Sequence, residues 1–160
     1  MTAGLHITVV AVGRLKEDYW VSACAEYAKR LSRYATLNVT EVPDRGSRSP
    51  SDIGLLLRTE ASRLRQRLNR ASHVILLDRE GRQFSSGQIA ALLGKLRDEG
   101  VRDLSFVIGG SWGFDEALKQ EADLLLSFGP ITLPHNLARV VLLEQIYRGF
   151  RILKGEPYHK

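Results

Sequence analysis

Arg139 is the residue of this chain most at odds with its local pattern. Plotted at about 100° per residue, the stretch from about Asn136 to Leu153 forms an amphipathic helix. Val140, Leu142, Leu143, Ile146, Tyr147, Phe150 and Leu153 share one face, and Glu144, Arg148, Arg151 and Lys154 lie opposite. Arg139 falls inside the apolar face, in the first turn, where a cation also meets the unfavourable end of the helix dipole. Local conflicts of this kind mark function. The stiff loop before the helix, Phe128 to Leu133, holds Gly129 and Pro130, and the chain ends in Pro157-Tyr158-His159-Lys160 beyond Gly155. Two more apolar runs end in unusual residues, one at Leu77-Asp78 and one at Gly109-Gly110-Ser111-Trp112-Gly113. Glycine lets a ligand approach the backbone, and exposed N–H and C=O groups there can read a purine edge. A side chain at Gly109 is expected to protrude toward such a ligand. The residues thus indicate a small-molecule site built from loops, with Arg139 and the C-terminal tail close by.

Several chemistries lack their signatures. Val10-Ala11-Val12-Gly13-Arg14 holds one glycine, so no GxGxxG follows the first apolar run, and no GxxxxGK[ST] occurs. A dinucleotide oxidoreductase and a P-loop NTPase are therefore disfavoured. His6, His73, His135 and His159 show no metal-ligand spacing, so no metal is expected. Ser111 and Ser127 have no adjacent histidine to make either a nucleophile. The single cysteine, Cys24, reads as a small core residue in a reduced setting.

The elements that must position these residues alternate in type. Leu5 to Val12, Leu37 to Val42, Val74 to Leu77, Leu104 to Ile108 and Leu124 to Ser127 read as strands. Helical spacing separates them: from Glu17 to Leu31, after a cap at Ser49-Pro50-Ser51-Asp52, after a capping box at Ser85 and Gln88, and from Asp115 to Ala122. Strands alternating with helices indicate an α/β fold, a mostly parallel sheet with helices on both faces. The 160 residues are read as a single domain spanning 1–160. Hydrophobic content of 44% and a net charge of +5 are those of a globular protein with a mild preference for an anionic partner. Arg45 and Arg48 lie on a polar loop, whereas Arg63, Arg65, Arg67 and Arg70 sit where cations complement a helix dipole. The chain opens with no basic leader, and its longest apolar run, Ile7 to Val12, is far short of a membrane span. A cytoplasmic protein with no membrane association is expected.

The chain resembles the ribosomal RNA large subunit methyltransferase H family of the SPOUT methyltransferases. The residues that carry the resemblance are ITVVAVGRLKEDYW (Ile7 to Trp20), AEYAKRL (Ala25 to Leu31), FVIGGSWGF (Phe106 to Phe114) and the run from Leu126 to the terminal Tyr-His-Lys. The resemblance implies a homodimer that uses S-adenosylmethionine to methylate N3 of a pseudouridine in 23S ribosomal RNA of the assembled ribosome. It implies a C-terminal trefoil knot and a cofactor pocket of Leu77, Gly109, Phe128, Gly129, Pro130, Ile131, Thr132 and Leu133. His135, Arg139, Tyr158 and His159 become the catalytic candidates: a histidine can take the imide proton and a cation can stabilise the anion. Val141 and Ile152, left over from the apolar face, suit a dimer interface, and the tail would dock in the partner's pocket. The alternative is a non-catalytic ribosome-binding or assembly factor that has kept the fold.

Overall fold

The first strand, β1 (Leu5–Val12), is built almost wholly of β-branched and apolar residues and is buried along both faces. Such a strand needs a neighbour on each edge and a layer on each side. It has both: β1 pairs in parallel with β2 (Ala35–Val42) and with β4 (Asp103–Ile108), register Ile7 to Leu37 and Leu104. β3 (His73–Gln83) lies parallel between β4 and β5 (Leu124–Ser127), so the sheet order is β2-β1-β4-β3-β5. The helices are α1 (Asp18–Leu31), α2 (Ile53–Arg67), α3 (Ser86–Asp98), α4 (Glu116–Glu121) and α5 (His135–Leu153). This computed structural model describes residues 4–44 and 51–157.

Strand alternation sorts the side chains into two cores. Ile7, Val9, Leu104, Phe106 and Ile75 face Leu31 of α1, Leu93 of α3 and Leu143, Ile146 and Phe150 of α5. Val10, Val12, Leu76 and Val107 face Ala61 and Leu64 of α2 and Leu118 of α4. The α/β reading holds, with all the pairings parallel. The Ser85–Gln88 capping box forms as expected. The start of α2 is corrected: the N-cap is Asp52, whose carboxylate accepts the Leu55 N–H at 3.0 Å. Ser49, Pro50, Arg45 and Arg48 lie outside the described residues.

The largest departure is in β3, which does not stop at Leu77. It pairs with β5 through Leu77↔Leu126, bulges over Asp78 to Gly81, then pairs with β5 again at Arg82↔Leu126 and Gln83↔Ser127. The bulge lies directly on β5: a Cβ at Gly81 would fall 2.6 Å from the carbonyl carbon and oxygen of Leu125. The strand expected at Val74 to Leu77 is therefore longer, although the charged run that follows it carries no local strand signal. The tertiary contact overrides the local pattern.

A second close approach sets the α3–α5 crossing, where a Cβ at Gly149 would come within 2.8 Å of the Leu93 Cδ1. The two glycines make a ranked prediction. Gly81→Ala meets backbone that cannot turn aside, so it should cost about 3 kcal/mol, the upper end for overpacking. Gly149→Ala meets the end of a flexible side chain and should cost about 1 kcal/mol. Urea unfolding of the two variants checks the order, and equal costs would show that β5 shifts freely beneath the bulge.

Candidate functional site

The carboxyl ends of β1, β4 and β5 and the bulge of β3 open onto one cavity of about 650 Å3. Its apolar wall is Val12, Ile108, Phe114 and Leu126. A position beyond the carboxyl ends of parallel strands is where open α/β sheets bind ligands. Among the residues expected at a cofactor site, Leu77, Gly109, Phe128, Gly129, Ile131, Thr132 and Leu133 line it. Pro130 does not; it is exposed within the same loop.

The bulge and the loop after β5 are joined into one wall. Ser127, 2% exposed, donates its hydroxyl toward the Arg79 carbonyl at 3.1 Å and accepts the Gly129 N–H at 3.0 Å. Arg79 Nη1 donates to Thr132 Oγ1 at 3.3 Å. Asp78, also lining the cavity, is paired with Lys119 of α4 at 3.0 Å, and the hydrogen bond raises the Lys119 pKa. The role of Asp78 has no local signal, because its partner Lys119 lies 41 residues further on.

The expectation for Gly109 is overturned. A Cβ there would lie 3.0 Å from the Phe114 ring and 3.2 Å from the Gly113 carbonyl oxygen, so it meets the turn rather than a ligand. Gly109→Val would therefore disturb the protein itself.

His135 and Arg139 share one side of α5 but serve different neighbours. His135, the first residue of the helix, lines the cavity, and its Nδ1 is buried with no hydrogen-bond partner among the described residues. The ring rests on Gly13, whose φ of +104° is left-handed and whose Cβ, if present, would be 3.2 Å from the imidazole Cε1. Any other residue at position 13 would be both strained and in the way. Arg139 is not among the lining residues. Its guanidinium is 3% exposed and donates to Glu41 Oε2 at 2.7 Å and to the Gly13 carbonyl at 3.2 Å. A carboxylate from the end of β2 thus neutralises the cation that the α5 pattern left unexplained. Nothing local to α5 could reveal it, since the partner is 98 residues away. Cys24 lies near this pair, and burial pushes its thiol pKa up, as suits a core residue.

Tyr158 and His159 lie outside the described residues. The chain leading to them is anchored: Glu156 accepts the Tyr34 hydroxyl at 3.1 Å and pairs with Arg151, which also donates to the Pro157 carbonyl at 2.7 Å. Among the described residues no group of His, Cys, Asp and Glu could hold a metal ion, and no helix is long and apolar enough to cross a membrane.

The family described as "Predicted SPOUT methyltransferase" matches residues 5–159. Proteins named ribosomal RNA large subunit methyltransferase H are similar along their whole length. The one from Clostridium kluyveri is 45% identical over 161 residues, covering 98% of this chain and 100% of that protein. Those from Streptococcus equi subsp. zooepidemicus and Carboxydothermus hydrogenoformans are 43% and 44% identical, with the same coverage. Among solved structures, the SpoU methyltransferase AviRb from Streptomyces viridochromogenes in complex with AdoMet matches at a TM-score of 0.47 and 13% identity, covering 95% of this chain and 60% of that one.

The Arg139–Glu41 pair is asymmetric, with side-chain exposures of 3% and 37%. Removing the carboxylate strands a buried cation, whereas removing the cation leaves a carboxylate that reaches water. Glu41→Leu should therefore cost about 2 kcal/mol, less than for a fully buried pair because Glu41 is partly solvated, and Arg139→Leu no more than about 1 kcal/mol. Thermal unfolding reads the difference as roughly 4–8 °C against 2–4 °C. The reverse order would place the essential contact on Gly13.

Proposed function

This chain belongs to the SPOUT methyltransferase family, and from that premise we propose that it is an S-adenosylmethionine-dependent methyltransferase of large-subunit ribosomal RNA. The observation that carries the reading is the cavity itself: three parallel strand ends, the β3 bulge, a glycine turn and the Phe128–Leu133 loop around about 650 Å3, with His135 on its wall. Volume, apolar walls and backbone groups brought close by glycine suit a nucleoside-sized ligand. The bound cofactor supplies an activated methyl group on a sulfonium. The chain supplies the rest: Leu77 and the Phe128–Leu133 loop hold, the apolar wall excludes water, and Ser127 keeps bulge and loop in register. His135, at the cavity, takes the proton from the imide nitrogen that accepts the methyl group. Arg139, clamped by Glu41 and Gly13, braces the ledge on which the His135 ring rests.

The finer reading is N3 of a pseudouridine in 23S ribosomal RNA, reached on the assembled ribosome in the cytoplasm. Trp112, exposed between the lining residues Ser111 and Gly113, suits contact with a base, since aromatic side chains stack on unpaired bases. The enzyme works as a homodimer: Tyr19 and Val21 of α1 and Ile152 of α5 are exposed apolar residues on two helices that pack together. Tyr158 and His159 act from the tail that follows the anchored Pro157. The trefoil knot belongs to the same reading, supported by the bulge at Gly81 lying across β5.

Calorimetric titration with S-adenosylmethionine, followed by transfer of labelled methyl to ribosomes, tests the reading. Binding with transfer is expected. No binding sinks the cofactor assignment, and binding without transfer to ribosomal RNA sinks the substrate. His135→Gln should lower kcat by about 100-fold or more, the usual worth of general-base catalysis, with cofactor affinity little changed.

Sedimentation should give a dimer at micromolar concentration. Deleting Tyr158 to Lys160 should abolish transfer while dimerisation and cofactor binding survive. Mixing tail-deleted chains with His135→Gln chains should then restore part of the activity. No rescue in verified heterodimers would mean that the tail serves its own chain's cavity.

A further inference from the structure

Glu60, on α2, is 6% exposed and takes no part in the roles above. Its carboxylate lies against the Gly110 backbone, whose N–H favours the ionised form. The approach is so close that a Cβ on Gly110 would lie 3.3 and 3.4 Å from its two oxygens, and 3.4 Å from Val12 Cγ1. Gly110 lines the cavity and opens the turn that Gly113 closes by donating its N–H to the Gly110 carbonyl at 3.2 Å. Burial is the largest influence on the Glu60 carboxyl and pushes its pKa up; nearby Asp44 adds to this, while Gly110 and Arg63 oppose it. Ionising Glu60 at neutral pH therefore costs stability: the folded state holds the proton more tightly, and stability falls as pH rises through the window from the unfolded to the folded pKa. A packed apolar residue would avoid that cost. A buried acid kept against local preference, on the back of a ligand-binding turn, points to a role in binding.

We propose that Glu60 is a positioning residue for the cofactor, holding the Gly110 peptide so that the Gly109–Gly113 turn presents one fixed backbone surface to the cavity. This rests on the reading of that cavity as the cofactor site. The turn holds three glycines among five residues, so its backbone has many alternative conformations to lose. With Glu60 in place that ordering is complete before the ligand arrives. Without it the ordering is charged to binding, and affinity falls while the chemical step is untouched.

Glu60→Gln keeps the shape and offers a neutral oxygen, a weaker acceptor than a carboxylate; Glu60→Ala removes the acceptor. Calorimetry with S-adenosylmethionine should show Kd raised about threefold in Glu60→Gln and about tenfold in Glu60→Ala, the latter equal to ~1.4 kcal/mol. The kcat at saturating cofactor should stay within twofold of wild type. The Tm of Glu60→Gln at pH 7.5 should equal or exceed that of wild type, which separates weakened binding from a weakened fold. Should Glu60→Ala fail to fold, Glu60→Gln carries the test alone. Wild-type affinity in a folded variant overturns the proposal, as does a loss of affinity that only accompanies a loss of Tm. A wild type that binds no cofactor overturns the cavity reading and this proposal with it; a wild type that binds beside unchanged variants overturns this proposal alone.

Discussion

The contact on which the site depends is backbone against backbone: the bulge of β3 at Gly81 lying on β5 at Leu125 and Leu126. It turns the edge of a plain parallel sheet into a walled cavity, because the bulge brings Asp78 and Arg79 to the cavity, where Arg79 reaches Thr132 of the loop after β5. Edge strands expose unpaired backbone groups, and here β5 is paired by β3 twice over, at Leu77 and again at Arg82 and Gln83. The paired segments flank the bulge that walls the cavity. Only a residue without a Cβ permits the approach, so one glycine joins sheet topology to the shape of the cavity.

A second constraint works from the opposite side of the cavity. Arg139 is buried at the amino end of α5, where both desolvation and the helix dipole oppose a cation. Glu41 answers the charge, and the Gly13 carbonyl takes a second donor. The pair ties α5 to the ends of β1 and β2, and His135 sits one helical turn earlier, against Gly13. An arginine that by its residue type suggests contact with substrate acts, within one chain, as a brace for the histidine that lines the cavity.

The elements were legible from the chain itself. Runs of β-branched residues and helical periodicity located five strands and five helices, with α/β order, because burying an alternating or periodic apolar pattern requires little beyond the segment that carries it. The Ser85–Gln88 cap formed for the same reason, since it needs only four residues. Much of the cavity lining could also be placed, from the resemblance and from glycines at strand ends.

What lay beyond reach was every feature whose partner is distant in sequence. β3 runs past Leu77 because β5, more than 40 residues later, supplies the pairing; the local Asp78-Arg79-Glu80-Gly81 run signals a turn and nothing else. A Cβ on Gly109 would meet Phe114 and the carbonyl of Gly113, so what the position tolerates is set by packing rather than by residue type. Glu41 for Arg139, Lys119 for Asp78 and Gly110 for Glu60 are likewise pairings that folding alone creates. Local free energies along the chain set which segments become strands and helices. The tertiary structure decided which charges meet, which way each side chain turns and where the walls close, because burial and electrostatic pairing depend on distances that only the fold sets.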